Sequence, residues 1–279
     1  MLTILASLTL LVLLALSIGF LRERRASSHL THRLLGAPRT PISAVDLTQL
    51  DSLPAPVARY LRHVLRDNQR CIGTARIRQV GELRTDITKD RWFGFEASQL
   101  IVPPAPGFVW DAKVSMAPLL HVRVHDAYVD GLGSGRLSLL SAVRMAGSSS
   151  SPEVNEASLH RYLAESPWYP TALLPGPALK WSPISDTKAL ATLASSGTTV
   201  SLEFWFNEAG EVSGIYTPGR WMRSGDAYVP TPWEGRFTSY QERGGMLVPT
   251  EGEVGWYVSG TWQPVWRGSN VEVNYTFDP

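Results

Sequence analysis

Cysteine is almost missing from this chain. With Cys71 alone among 279 residues, an internal disulfide framework and a multi-thiolate metal site are both excluded. Compartment stays open, because many exported domains carry no disulfides. Charge is sparse as well: Asp, Glu, Lys and Arg make up 18% of the residues, which implies a surface less polar than usual. No complete catalytic signature is present. The run Gly131-x-Gly133-Ser134-Gly135 lacks the lysine and the strand-turn-helix setting that phosphate loops and serine elbows need, and it reads as a hairpin turn. His121 and His125 fall on one strand face about 13 Å apart with Arg123 between them, too far to share a metal directly. Neither a metal nor a cofactor is expected.

What is abundant is aromatic and turn-forming. Ten Trp, nine Tyr and eight Phe accompany 23 Gly and 20 Pro, and apolar residues reach 44%, enough for a core built of strands and tight turns. The length fits one large β domain, since such domains often reach about 200 to 250 residues.

Residues 2–21, LTILASLTLLVLLALSIGFL, contain no charged side chain and make a helix of about 30 Å, enough to cross a bilayer core. A transmembrane anchor over 1–21 is the first reading. A cleaved signal peptide is the weaker one, because no Lys or Arg precedes the run and no small-x-small cleavage site is clear. Arg22, Arg24, Arg25, Arg33 and Arg39 follow against Glu23 alone, so residues 1–40 carry +4 of a net charge of +1. The positive-inside rule then puts the domain on the cytoplasmic side of a cytoplasmic (inner) membrane, with the opposite side as the alternative. No basic or aromatic RNA-binding motif follows the cluster, so its expected partner is anionic lipid and not nucleic acid.

Residues 22–50 read as a basic juxtamembrane tether and 51–279 as an antiparallel β domain. Leu53, Val57, Tyr60, Leu61, Val64 and Leu65 follow helical spacing and predict a helix over 53–66, with Ser52 as N-cap and Pro54 in its first turn. From Ile72 the period changes to two and strand follows strand; 137–145 fits strand or short helix. A second helix is expected near 155–165. The Pro-interrupted apolar segment 168–177 reads as a lid over the open side of a curved sheet.

The most legible stretch is 228–258, YVPTPWEGRFTSYQERGGMLVPTEGEVGWYV, a long hairpin turning at Glu242-Arg243-Gly244-Gly245. That turn predicts the pairs Gln241–Met246, Arg236–Glu251, Gly235–Gly252, Glu234–Glu253 and Trp233–Val254. One face carries Trp233, Phe237, Val254 and Trp256; the other carries Glu234, Arg236, Glu251 and Glu253. Opposed carboxylates beside a guanidinium resemble parts of an acid/base site. A cross-strand ion-pair ladder has the same composition and is the more economical reading.

The wording VPTPWEGRF, VPTEGEVGW, PPAPGFVWDAKV and SPWYPTALLPG resembles an uncharacterised bacterial family with an N-terminal transmembrane segment, over about residues 52 to 276. More distantly, the order of helix, meander, mid-chain helical lid and further hairpins is similar to the lipoprotein-carrier fold, the LolA/LolB-like half-barrel. That resemblance implies a curved sheet holding acyl chains against an apolar inner face, and a domain outside the cytoplasmic membrane. The expectation is therefore a mainly β protein: a curved antiparallel sheet or open half-barrel with two packed helices. Its expected function is to bind a lipid or other hydrophobic ligand between Trp92, Phe95, Phe108, Trp110, Phe204, Trp233, Phe237 and Trp256. An enzyme working through Glu234, Arg236, Glu251 and Glu253, or a ligand-free scaffold, are the alternatives. The protein partner is unknown.

Overall fold

A computed structural model describes residues 2–39 and 44–277. The first element is one long helix, α1 (Leu2–Gly36), followed by a 3₁₀ turn, Leu47–Ser52, and α2 (Ala55–Val64). A six-strand meander comes next: β1 (Ile72–Leu83), β2 (Phe93–Ile101), β3 (Phe108–Ala117), β4 (Leu120–Val129), β5 (Leu132–Leu139) and β6 (Val143–Ser148). Helix α3 (Pro152–Ala164) and the 3₁₀ turns Ser166–Trp168 and Pro170–Leu173 lead to a second meander. It runs through β7 (Leu179–Ser185), β8 (Lys188–Ser195), β9 (Thr198–Phe206), β10 (Val212–Ser224), β11 (Ala227–Arg243), β12 (Met246–Val258) and β13 (Thr261–Phe277).

All thirteen strands form one antiparallel sheet in the order 6-5-4-3-2-1-13-12-11-10-9-8-7. The two meanders meet where β1 pairs with β13, so the chain has to travel from one outer edge, β6, to the other, β7. Helix α3 makes that crossing inside the hollow, touching β4 and β5 on one limb and β9 and β10 on the other. The sheet is therefore strongly curved, and its limbs approach each other at one end. There a Cβ built on Gly131 would lie 2.3 Å from Cβ of Ser196, bringing the β4–β5 turn against the β8–β9 turn. Asp130 and Gly131 both have positive φ, the mirror-image turn that suits the strand twist and favours Asp-Gly.

Alternation places Ile77, Phe95, Trp110, Tyr128, Leu202, Phe204 and Phe237 on the concave face, in one core with α2 and α3. Val57, Tyr60, Leu61 and Val64 form the buried stripe of α2. Ser52 does not cap it: Ser52 belongs to the preceding 3₁₀ turn, donates to the Gln49 carbonyl, and leaves Pro54 at the N-cap position. Ser151 does cap α3, its hydroxyl accepting from the Val154 amide at 3.3 Å. Residues 137–145 resolve as strand, turn and strand.

Two expectations of chain layout are corrected. The segment read as a tether over 22–50 is helical to Gly36 and lies on the outside of the sheet, while its residues 40–43 fall outside the described ones. Leu30, Leu34 and Leu35 supply the reason: they pack on Leu100, Val109, Ala127 and Val129, outward residues of β2, β3 and β4, and on Val102 just past the end of β2. Arg33 reaches Asp130 at 2.6 Å, Ser27 meets His125 at 3.0 Å and Glu23 lies 4.0 Å from Arg136. The segment read as a lid over 168–177 is fixed in the core over its first half. Trp168, Tyr169 and Leu173 are buried, Tyr275 donates to the Trp168 carbonyl at 2.6 Å, and Trp181 Nε1 donates to the Leu173 carbonyl at 3.1 Å.

The register of the β11–β12 hairpin also differs from expectation, by two residues. Gly244 and Gly245, both with positive φ, make a two-residue turn, so Glu242 and Arg243 stay in the ladder and Arg243 pairs with Met246. A slide of two keeps each side chain on its expected face but changes its partner. Arg236 faces Glu253, Gly235 faces Val254, and Gly252 faces Phe237. Across the neighbouring strands this aligns Gly252, Gly268 and Gly81 in one row. The Trp266 and Phe95 rings occupy the space those missing side chains leave, since a Cβ on Gly268 would meet Trp266 at 2.9 Å and one on Gly81 would meet Phe95 at 3.0 Å. A Cβ on Gly81 would also lie 2.2 Å from the Arg267 carbonyl oxygen. Gly81→Ala is expected to cost about 1–3 kcal/mol or more by overpacking, read as a lower urea midpoint at unchanged slope.

Candidate functional site

The hollow of the sheet is incompletely filled. Between the end of α3 and strands β1, β3, β4 and β10–β13 lies a cavity of about 370 Å³, within the size range of ligand pockets. Its walls are aromatic and aliphatic: Trp110, Trp168, Trp233, Phe237 and Trp266 surround it, with Ile215 and Val254 between them. Each ring has a backing. Phe95 sits behind Trp110 and Trp266 at centroid distances of 5.9 and 5.7 Å, and Trp168 meets Phe237 edge-on at 6.2 Å. The Trp110 indole is pinned by a hydrogen bond to Gln79 Oε1 at 2.8 Å, and Gln79 donates in turn to Asn270 at 2.9 Å.

One end of the cavity is charged. Arg161 of α3 donates to Asp126 at 2.9 Å and to Glu165 at 2.8 Å, and Gln99 donates to the second oxygen of Glu165 at 2.6 Å. The Arg161 guanidinium also lies over Phe108 and Trp110, 5.0 and 4.8 Å from their centroids. Arg220 is held differently. Its Nε and Nη2 donate to the Ala157 carbonyl at 3.2 and 3.1 Å, and its plane lies over Trp233 and Trp256 at 4.4 and 5.2 Å. Burial, and then the charge of Arg161, brings its pKa down to about 10. Burial likewise raises the Asp126 carboxyl, against the pull of Arg161. Asp126, Leu137, Arg161 and Arg220 also line a second, more polar chamber of about 300 Å³ with Ser134, Ser148 and Ser158. The charged cluster thus separates an apolar compartment from a polar one.

Of the eight aromatics expected to form walls, Trp110, Trp233 and Phe237 line the apolar cavity. Phe95 backs it, while Phe108 and Trp256 line the polar chamber. Two lie elsewhere. Phe204 is fully buried, edge-on to Trp181 at 5.1 Å, and Trp92 sits on the outer surface between the guanidinium groups of Arg84 and Arg267. Trp168 entered the sequence reading only as the start of the lid, and Trp266, Asp126, Arg161, Glu165 and Arg220 were not legible as site residues. The i, i+4 spacing of Arg161 and Glu165 was the one local signal available.

The carboxylate face is a ladder on the convex side. Across four strands Arg236, Glu253, Arg267 and Glu82 stand side by side with alternating charge. Arg267 reaches Glu82 at 2.7 Å and Arg236 lies 3.9 Å from Glu253. Glu234 is not opposed by Glu253; it faces Gly255, is buried, and accepts from Arg236 Nε and the Tyr257 hydroxyl, both at 2.7 Å. Glu251 accepts from Thr238 and Ser239 at 3.2 and 2.8 Å. Arg236 stands between Glu234 and Glu253, and with Glu82, Glu251, Glu253 and Arg267 it lines an open groove of about 530 Å³ on this side of the sheet.

The profile of DUF6920, a family of unknown function, matches residues 51–275. No curated protein matches the chain. Among solved structures, an outer membrane lipoprotein-sorting protein domain from Vibrio parahaemolyticus is 10% identical with a TM-score of 0.40, over 82% of this chain and 91% of that one. A LolA superfamily protein from Nitrosomonas europaea is 8% identical with a TM-score of 0.36, over 82% and 96%. A beta-barrel-like protein of the family DUF1849 from Brucella abortus is 10% identical with a TM-score of 0.22, over 74% and 99%. These are likenesses of general strand layout.

His160, on α3 beside this site, is buried, and desolvation followed by the charge of Arg220 brings its pKa down to about 4. The unfolded chain therefore takes up a proton near pH 6.5 that the folded chain refuses. The stabilisation is complete above pH 6.5 and is lost as pH falls toward 4, by about 1.4 kcal/mol per unit. Between pH 7 and pH 5 the wild type is expected to lose about 2 kcal/mol more stability than His160→Gln, measured by urea unfolding at both values.

Proposed function

We propose that this chain, which belongs to the DUF6920 family, is a membrane-anchored module that holds a lipid or other hydrophobic ligand in the hollow of its curved sheet. The observation that carries this reading is the aromatic-walled cavity of about 370 Å³. A partly open recess of that size walled by five large rings has the apolar, concave character of small-molecule sites. An aliphatic chain filling it gains about 0.8 kcal/mol per buried methylene without needing directional contacts. The charged end, where Arg161 and Arg220 reach both chambers, is the natural place for a polar head group. The anchor is α1, whose N-terminal part is long and apolar enough to cross a membrane.

Native mass spectrometry with lipid extraction, on the full chain purified in mild detergent, tests this. The expected result is one copurifying amphiphile per chain. Val254→Phe, which fills the cavity from its wall, is expected to lower occupancy at least tenfold while leaving the thermal midpoint unchanged or higher. Glu234→Gln, on the outer ladder, is expected to leave occupancy unchanged. A wild-type protein free of ligand would overturn the reading.

A further inference from the structure

Helix α1 lies along β4 in parallel, contact by contact. Gly19 lies against Ala142, Glu23 is beside Arg136, Ser27 beside His125, and Arg33 beside Asp130. The first of these contacts fixes where the helix leaves the domain. A Cβ on Gly19 would fall 2.3 Å from the Ala142 carbonyl oxygen, so the helix passes directly over the β5–β6 turn, and the residues before Gly19 project beyond the sheet. Gly19 is also within two residues of the end of the uncharged run, and Arg22, Arg24 and Arg25 follow it, all exposed.

The same end of the sheet carries exposed apolar side chains. Leu119, at the β3–β4 turn, is 99% exposed, and Leu120, Val143 and Met145 are exposed beside it. The two turns form one surface: the Leu140 amide donates to the His121 carbonyl at 2.9 Å, and His121 Nε2 meets Ser141 Oγ at 3.0 Å. A fully exposed leucine in a left-handed turn, with φ of +62°, has no folding role to explain it. The cavity reaches this end too. Leu83, Arg84 and Thr85, where β1 runs out, line it together with Val265 and Trp266 near the start of β13.

We propose that the β3–β4 and β5–β6 turns are a second membrane contact, in which Leu119, Leu120, Val143 and Met145 enter the lipid surface beside the exit point of α1. The proposal rests on the reading of α1 as a bilayer span. If residues before Gly19 lie in the bilayer, the turns that Gly19 touches are at the height of the head groups. Arg22, Arg24 and Arg25 are then level with anionic phosphates, where basic side chains next to a span are favourable. The domain is held in one orientation, and the end of the cavity lined by Leu83, Val265 and Trp266 faces the bilayer. A ligand passes between lipid and cavity without crossing bulk water.

Nitroxide labels test the contact in the full chain. Single cysteines replace Leu10, Leu119, Met145 and Ala194 in a Cys71→Ala background, and the protein is reconstituted in phosphatidylcholine vesicles containing phosphatidylglycerol. Relaxation by oxygen, which concentrates in lipid, is compared with relaxation by a water-soluble nickel chelate. Labels at Leu119 and Met145 are expected to show an oxygen-to-nickel ratio several-fold above that at Ala194, at the far end of β8, and close to that at Leu10. A lipid-like ratio at Leu10 with water-like ratios at Leu119 and Met145 overturns this inference and leaves the anchor in place. A water-like ratio at Leu10 overturns the anchor and this inference with it. Protection of Leu119 from both agents reports a protein surface there, and likewise overturns it.

Discussion

The structure depends on one crossing. A single antiparallel sheet whose two meanders join at their first and last strands, β1 and β13, leaves its free edges at opposite ends, and the chain between β6 and β7 has to connect them. Taking that connection through the hollow as α3 gives both limbs the same helix to bury against. Curvature follows, because β4–β5 and β9–β10 can both reach α3 only if the sheet bends around it. The cavity follows as well: α3 fills the hollow beside the outer limbs, while the middle strands are left facing the short turn that carries Trp168.

The row of glycines sets what the two faces of those middle strands can do. Without side chains at Gly81, Gly252 and Gly268, the Trp266 and Phe95 rings lie close to the backbone on the concave side, and the cavity keeps its depth. One residue away on each strand, the side chains point outward and form the alternating Arg236, Glu253, Arg267 and Glu82 row. Exposed pairs of this kind add little stability each. A wide sheet with a second solvent-facing surface nonetheless needs polar residues there. Of the residues that looked most like catalytic chemistry in the sequence, Arg236 and Glu251 are exposed on this convex face and Glu234 is buried under it, while the rings of the chamber stand on the concave side of the same strands.

Much of this was legible in the sequence, and the losses have physical reasons. Period-two runs gave the strands, and the apolar stripe from Val57 to Val64 gave α2. Both faces of the β11–β12 hairpin were correct even though its register was not, since a slide of two residues leaves alternation untouched. Gly244-Gly245 and the longer loop around it are equally good turns by composition, so register could not be chosen locally. The docking of residues 22–36 was missed because its apolar positions, Leu30, Leu34 and Leu35, are few and interrupted by Thr31, His32 and Arg33. Their partners on β2 to β4 are about 70 to 95 residues away in the chain. Distance also hid the charged end of the cavity: Asp126, Arg161 and Arg220 come from three separate elements, and none has a neighbour in sequence that announces the others.

That the cavity stays open is a consequence of which side chains line it. Aliphatic residues around a void relax into it by rotamer changes, and the cost of an empty space depends on how far such a site can collapse. Trp110, Trp168, Trp233, Phe237 and Trp266 are rigid plates, and each is held by a contact on its far side or edge. Phe95 backs Trp110 and Trp266, Arg220 covers Trp233, and Trp168 and Phe237 brace each other edge-on. Collapse would have to break a stacking or edge contact worth about 0.5–1.5 kcal/mol at each ring before gaining any new packing. Arg161 and Arg220 serve the walls as much as the charge of the site, because their planes lie on Phe108, Trp110, Trp233 and Trp256 while Arg161 is held by Asp126 and Glu165 and Arg220 by the Ala157 carbonyl of α3. The helix that makes the crossing therefore also props the chamber, carrying Arg161 itself and holding Arg220 through the Ala157 carbonyl.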